Sequence, residues 1–517
     1  MFHAFSVLPI SILLLVLTLT PLGCAAGRLS QVQEQRLFDR LYQTNLRGPR
    51  WTGNDNQNTL TDLVASSMRL AGLEVETLNY TLNRWDPRWW SLTLTLMNGT
   101  SIGMPMTGYW PHSGNSGLGG VTAPLHDAGT FGLKADGTGD PSTLDLEGIP
   151  PAGAVVFFDN PSPTRNYSEP GYRLLGTSRG IDTSEIPELG NLTNPHWQSA
   201  KTLNFTALHA LGVRAIISSW THTSPANAAL QFLPNDAPPG KNGVWEVPGV
   251  YVSEETGRIV RGLVGRREVE SATVVLDAPS VPGARSATVV GRLRGTKGEG
   301  EGSVLLYTHS DGPSIIEENG PILLLTIAEY FAVHRPAINL DFVITTGHMS
   351  GGRLSETRWM DERPALLKEA RAAVVCEHFG AREWKDQVLG EDGELVYGPT
   401  GRMEPMWTMG NDSAASALLH QLYLEAFEGT PEDVRMALLA PQTVGGVRSK
   451  WYGAGGSSVL GRSNLPTIGI IPQPDYLWTA QVDGGWSKLD LKMVVVQINT
   501  VLRLIESLDR SFLKGEL

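Results

Sequence analysis

Short segments of this 517-residue chain pair imidazoles with carboxylates at spacings suited to holding a cation or moving a proton. His309-Ser310-Asp311-Gly312 follows the apolar run SVLLYT, residues 303–308. Glu317-Glu318-Asn319-Gly320 precedes a second apolar stretch. Gly347-His348-Met349-Ser350 follows LDFVITT, residues 340–346, and AAVVC runs into Glu377-His378-Phe379-Gly380. Imidazole nitrogen with carboxylate oxygen is the donor set of a hydrolytic zinc site. Acidic residues ahead of a helix also complement its dipole without any metal. Taken singly, each residue is as well explained by a solvated helix terminus; only their convergence argues for chemistry.

The runs that must position these groups alternate in type. SVLLYT, LDFVITT, AAVVCE (372–377) and LPTIGIIP (465–472) have the length and composition of buried strands. PILLLTIAEYFAV (321–333) reads as a helix with Pro in its first turn, and ALLKEAR (365–371) as another. A last helix is expected over 488–508, with Ser487 and Asp490 in capping-box spacing. Such alternation predicts an α/β fold, with functional side chains just beyond the carboxyl ends of the strands. Upstream, residues 30–75 carry helical spacing (Leu37, Leu41, Leu63, Met68, Leu70, Leu73), broken by the turn-rich GPRWTGNDNQNT, where Asn58 or Thr59 is the expected cap. Leu92, Leu94 and Leu96 alternate with Thr93 and Thr95, a strand signature. Between 116 and 283 short strands, AGAVVFFD, GVRAIISS and VPGVYVSEETG, are set in Pro- and Asn-rich loops. This middle texture predicts a self-contained β-rich insertion at 116–283 in an α/β domain made of 27–115 and 284–517.

Composition narrows the function. Hydrophobic residues at 41% and charged residues at 18% describe a globular chain. The net charge of −12, with no run of Lys or Arg, excludes a nucleic-acid partner on electrostatic grounds. Residues 1–26 hold an apolar run followed by Pro21, Gly23 and small residues, which predicts a secretory signal and an extracellular protein. That run is short for a membrane span, and no stable span is expected elsewhere. Of the 2 Cys, Cys24 leaves with the signal and Cys376 is expected as a buried core thiol. Sequons at Asn79, Asn98, Asn166, Asn191, Asn204 and Asn411 fit a secreted glycoprotein. Trp85, Trp89 and Trp90 are expected in the core rather than on a substrate surface. Trp407, Trp451, Tyr476 and Trp478 are candidates for a pocket mouth.

HSDG after a strand, EENG before an apolar helix and an acid closing a later strand together resemble the co-catalytic zinc aminopeptidases, the family that includes aminopeptidase Y, glutamate carboxypeptidase and the transferrin receptor. RGPRWTGNDNQNTLTDLVASSMRLAGLEVE is similar to the opening helices of that fold. The middle segment, with GVRAIIS and VPGVYVS, resembles a protease-associated (PA) domain. The resemblance covers nearly the whole mature chain. It implies a three-layer α/β core with a mixed sheet and an inserted β-rich PA-like domain. It also implies zinc ligands at His309, Glu317 and Glu377, with Asp311 as buttress of His309. Where the family has a Glu-Glu pair this chain has His348 and Met349, and where it has a terminal ligand His this chain has a segment around Ser457. One zinc ion is therefore expected rather than two, because thioether and hydroxyl are poor zinc ligands. His348, or alternatively Glu318, is the expected proton-transfer group. His378, next along the strand from Glu377, is expected on the opposite face in a structural role.

The expected function is a secreted zinc hydrolase of peptide or other amide bonds, with a homodimer left open. The rival is a non-catalytic binding or scaffold protein built on a degenerate peptidase fold. A serine hydrolase using Ser350 or Ser457 fits less well, since neither lies in a G-x-S-x-G elbow.

Overall fold

The computed structural model describes residues 27–130, 150–161, 164–166, 172–178, 191–193, 203–221, 223–228, 243–298, 302–389, 394–410, 416–441, 443–444, 447–448, 465–472, 474, 476 and 483–516. The expected signal segment, Ser457, Trp451, Trp478 and the sequon at Asn411 lie outside the described residues.

Helices Gln31–Leu46 and Asp55–Leu70 begin at Ser30 and Asn54, whose side chains accept from the backbone N–H of Gln33 and Gln57. The second cap is thus Asn54 rather than Asn58 or Thr59. Asn58 already donates its backbone N–H to Asn54 O, one turn into the helix. The final helix, Leu491–Leu513, is capped by Asp490; Ser487 sits in the short turn Trp486–Lys488 before it.

The main sheet has nine strands in the order Glu74–Trp85, Ser280–Leu293, Asn339–Thr345, Ser303–His309, Ala370–Cys376, Thr467–Pro472, Met406–Gly410, Met436–Pro441 and Tyr172–Thr177. It is mixed. Ser303–His309 is parallel to both neighbours, and Ala370–Cys376 is parallel to Thr467–Pro472, while both ends of the sheet pair antiparallel. Side-chain alternation assigns the faces. Val304, Leu306, Val374 and Cys376 point into the larger core with helices Gln31–Leu46, Asp55–Leu70, Gly320–Val333, Ser416–Phe427 and Leu491–Leu513. Leu305, Tyr307, Ala373 and Val375 face a thinner layer containing Trp359 and Leu366. The result is the expected three-layer α/β core.

Gly320 sets the start of the central helix. A Cβ there would sit 1.8 Å from Thr308 Oγ1 and 2.9 Å from Cys376 O, so only glycine lets the helix meet the strand ends this closely. The helix itself, GPILLLTIAEYFAV, is buried almost throughout.

A second body holds two further sheets. Five strands run in the order Gly108–Tyr109, Gly249–Val252, Ala215–Thr221, Val155–Pro161 and Leu125–Thr130, and four in the order Ser101–Met104, Trp89–Leu96, Val269–Asp277 and Gly117–Ala123. Val155, Phe157, Ile217, Val250, Leu92, Leu94 and Val274 form the core between them. Two placements differ from the sequence expectation. Trp89–Leu96, expected in the main domain, pairs with Val269–Asp277 in this body. Tyr172–Thr177, expected within the insertion, closes the edge of the main sheet. Strand identity follows long-range pairing, which local pattern does not encode. Trp85 is buried, as expected of core, whereas Trp89 is 58% and Trp90 37% exposed. No helix among the described residues is long and apolar enough to cross a membrane.

Candidate metal centre and active site

The carboxyl ends of the parallel strands carry the site, as the sequence reading expects. His309 ends Ser303–His309 on the face shared by Leu305 and Tyr307, and Glu377 continues the parity of Val375 toward that same face. Asn319 ties two site loops together: its Nδ2 donates to Phe379 O at 2.9 Å, and its Oδ1 accepts from Phe379 N at 3.2 Å. Glu317 and Glu318 are thereby fixed beside Glu377 and His378.

His378 departs from the expectation. The strand stops at Cys376 and His378 takes φ of 60°, an uncommon left-handed conformation for a residue with a side chain. The chain reversal returns the imidazole to the site rather than to the opposite face. Its Nε2 lies 3.1 Å from Glu317 Oε2, and its Nδ1 lies 2.7 Å from Pro472 O.

The imidazoles share one polarity. His309 Nδ1 is 2.8 Å from Asp311 O, and His348 Nδ1 is 3.1 Å from Glu356 Oε2. These oxygens can only accept, so each Nδ1 carries the hydrogen and each Nε2 turns inward. His309 Nε2 lies 3.7 Å from Glu377 Oε2, and His348 Nε2 lies 3.5 Å from Glu317 Oε1. The rings of His309 and His348 stack at 4.1 Å. Donor atoms of His309, Glu317 and His378 all fall within 4.8 Å of one another. His309 Nε2, both oxygens of Glu317, Glu377 Oε1 and His378 Nε2 are buried and make no hydrogen bond. Buried polar atoms that lack well-formed hydrogen bonds are costly, and imidazole nitrogens and carboxylate oxygens gathered at these distances suit a divalent cation. The residues present therefore fit a zinc-type donor set.

Electrostatics bind the cluster together. Burial and the neighbouring His348 oppose charging of His309, but Glu377 and Glu317 outweigh them and raise its imidazole to about 9. Burial would raise the Glu317 carboxyl, yet His378 and His348 hold it at about 2. Glu356 is partly buried, and desolvation opposes its ionisation, but its hydrogen bond and charge pairing with His348 hold it at about 2.

Asp311 supports the site differently from the expectation. The ring of His309 rests on its backbone carbonyl, while its Oδ2 accepts from Thr52 Oγ1 and from the N–H of Gly347 (3.2 Å) and Met349 (2.9 Å). Asp311 thus fixes the turn that carries His348. Glu318 points away toward Arg50, whose Nε donates to Glu318 Oε2 at 2.7 Å, both side chains being buried. Burial pushes the Glu318 carboxyl up to about 8 against the opposing guanidinium.

Arg50 and Glu356 were missed by the sequence reading. Arg50 sits in a turn-rich loop and Glu356 well beyond the His348 motif, so neither stands beside the motif it serves. Ser350 donates its hydroxyl to Gly347 O and Leu354 O and has no imidazole partner, which removes it as a nucleophile. Cys376 is buried, and burial raises its thiol pKa.

Neither a protein-family model nor a curated protein matches the chain. Solved structures do. A zinc aminopeptidase from Bacillus subtilis superposes with TM-score 0.59 at 13% identity, over 92% of this chain and 95% of its own. An aminopeptidase from Aneurinibacillus gives TM-score 0.56 at 13% identity over 92% and 93%. A peptidase precursor from Shewanella amazonensis gives 0.56 at 12% over 92% and 97%. The chain has the fold of these aminopeptidases, and the family resemblance is borne out at the level of architecture.

Proposed function

We propose that this chain is an exported, metal-dependent hydrolase of amide bonds, built as a peptidase-like core with an inserted PA-like module and using a single zinc ion. One observation carries the reading: His309, His348 and His378 each give Nδ1–H to an oxygen and turn Nε2 toward a carboxylate of the cluster, Glu377 for His309 and Glu317 for His348 and His378. His309, Glu317 and His378 make up a His₂Glu set, which catalytic zinc sites use. Glu377, 3.7 Å and 3.9 Å from the two imidazole nitrogens, adds an oxygen to that set.

Zinc held there supplies carbonyl polarisation and a water of lowered pKa. The chain's own residues do the rest. His348, with 18% of its side chain exposed, is the group positioned to take and return a proton at Nε2. Glu356 accepts from His348 Nδ1 and from Tyr307 Oη at 2.8 Å, fixing ring and tautomer. Glu318 is committed to Arg50, so the proton-transfer role falls to His348.

A second reading, a non-catalytic binding protein, is favoured by the near-complete burial of His309, Glu317, Glu377 and His378, each 1–2% exposed. Metal analysis of the secreted protein together with hydrolysis of a panel of peptide anilides separates the two. About one zinc per chain, with turnover lost in His309→Ala, supports the hydrolase. Metal-free protein with undiminished turnover, or metal-loaded protein that cleaves nothing in the panel, removes it.

A further inference from the structure

The turn that carries His348 is held from two sides. On one side Asp311 Oδ2 accepts from the N–H of Gly347 and Met349. On the other stands the second body. Arg353, at the end of the turn, gives N–H to Ser350 O within it (3.2 Å), to His112 Nδ1 (2.6 Å) and to Gly243 O. His112 follows strand Gly108–Tyr109, and Gly243 precedes strand Gly249–Val252; these two strands pair in the five-stranded sheet. One guanidinium thus fastens the His348 turn to the second body at two points.

The contact is built for this fit. Arg353 and His112 are both buried, and a buried charge spent on neutral acceptors is costly to keep. An imidazole that accepts from a guanidinium at Nδ1 is neutral, and burial with the Arg353 charge keeps His112 well below its ordinary range. His112 takes φ of 58°, uncommon for a residue with a side chain. Its ring lies 5.2 Å from that of Trp85, and its carbonyl accepts from Trp245 N at 2.9 Å. Backbone held in such a region persists where its surroundings over-determine it. Gly351 completes the seat: a Cβ there would fall 2.3 Å from His112 Nε2, so the imidazole rests on bare backbone of the turn. Within the turn Ser350 Oγ bonds to Gly347 O (2.7 Å) and accepts from Leu354 N (3.1 Å), so a shift at Arg353 reaches the residue before His348.

We infer that Arg353 and His112 are positioning residues for His348, and that through this pair the second body sets where the His348 imidazole stands against Glu317. The second body is then a working part of the site rather than an appendage. The inference rests on the hydrolase reading for the proton-transfer role of His348. The mechanical link between the bodies does not depend on turnover.

The test combines amide hydrogen exchange read by mass spectrometry on the full chain with kinetics on the best-cleaved anilide of the panel. Arg353→Met and His112→Leu are each expected to speed exchange across residues 347–354 by about tenfold, the scale of one lost buried hydrogen bond. Exchange in strand Ser303–His309 and zinc content are expected to stay unchanged. In the same variants kcat is expected to fall by about tenfold or more with little change in KM, as for a displaced proton-transfer group. His112→Asn, which tolerates positive φ and offers an oxygen near the place of Nδ1, is expected to recover both readouts. Unchanged exchange across 347–354, exchange that quickens equally throughout the main sheet, or His112→Asn no better than His112→Leu overturns the positioning role. So does a kcat that stays level while the turn loosens. Arg353→Met and His112→Leu remove opposite ends of one hydrogen bond, so either reads the contact if the other does not fold. Exchange that quickens only at the turn, in a protein that cleaves no anilide, leaves the link standing while the hydrolase reading falls.

Discussion

Glu356 and His348 face each other at 3.1 Å, eight residues apart in sequence, and that carboxylate determines which imidazole nitrogen meets the candidate centre. Tyr307 Oη donates to the other oxygen of Glu356, so the acid is braced from the floor of the sheet. Glu356→Gln is expected to leave zinc content unchanged and lower kcat by roughly 100-fold, with little change in KM. Glu356→Asp is expected to recover part of the loss. Metal analysis alongside steady-state kinetics checks this, and loss of zinc with kcat would instead make Glu356 a determinant of metal binding.

His378 is expected to be indispensable for the cation. His378→Ala should weaken zinc binding by about 100-fold or more, the upper end of what loss of a mere supporting partner costs. Competition with a chromogenic chelator measures it. Unchanged affinity would return His378 to a purely structural role and leave His309, Glu317 and Glu377 as the set.

Away from the site, Glu383 is fully buried and gathers Arg435 at 3.2 Å, Arg402 at 3.0 Å and Lys385 at 3.5 Å. Burial opposes its ionisation, but Thr400 and these cations hold its carboxyl below the ordinary 4.5. A depressed folded-state value means the stabilisation is present above about pH 4.5 and is lost as pH falls through the folded value. Glu383→Gln is expected to cost about 3 kcal/mol at pH 7 by removing the buried charge on which Arg435, Arg402 and Lys385 converge, and to flatten the fall in stability below pH 4.5. Urea melts across pH check both statements.

Gly320→Ala is expected to destabilise the fold by about 2 kcal/mol or more, because the new methyl collides with Thr308 and with the carbonyl of Cys376. Gly103→Ala, in open space and, like Gly320, outside the positive-φ region, serves as the control and should cost less. Thermal melting compares the two.

Much of the site was legible because its residues stand immediately after apolar runs. His309, His348 and Glu377 each follow a strand, and a buried parallel strand announces itself by composition alone. What was not legible depends on geometry the pattern does not carry. His378 was assigned to the wrong face because alternation was continued beyond Cys376, where the backbone turns left-handed instead. Arg50 reaches Glu318 across 268 positions, from a loop whose composition signals only turns. Asp311, expected to brace the His309 imidazole with its carboxylate, meets that ring with its carbonyl and holds the next turn with its carboxylate. Leu92 and Leu94, expected in the main domain, pack with Val274 in a separate sheet instead, because strand partners are set by long-range pairing that local alternation does not encode.

The strand Tyr172–Thr177 makes the two bodies inseparable by simple surgery. It leaves the middle of the chain to cover Met436–Pro441 at the rim of the main sheet. Splicing out the intervening module to obtain a minimal core would strip that cover and bare a row of backbone donors and acceptors, an invitation to strand exchange between neighbouring molecules. A shortened version would have to keep this ribbon or carry a replacement, and without either its fate is aggregation.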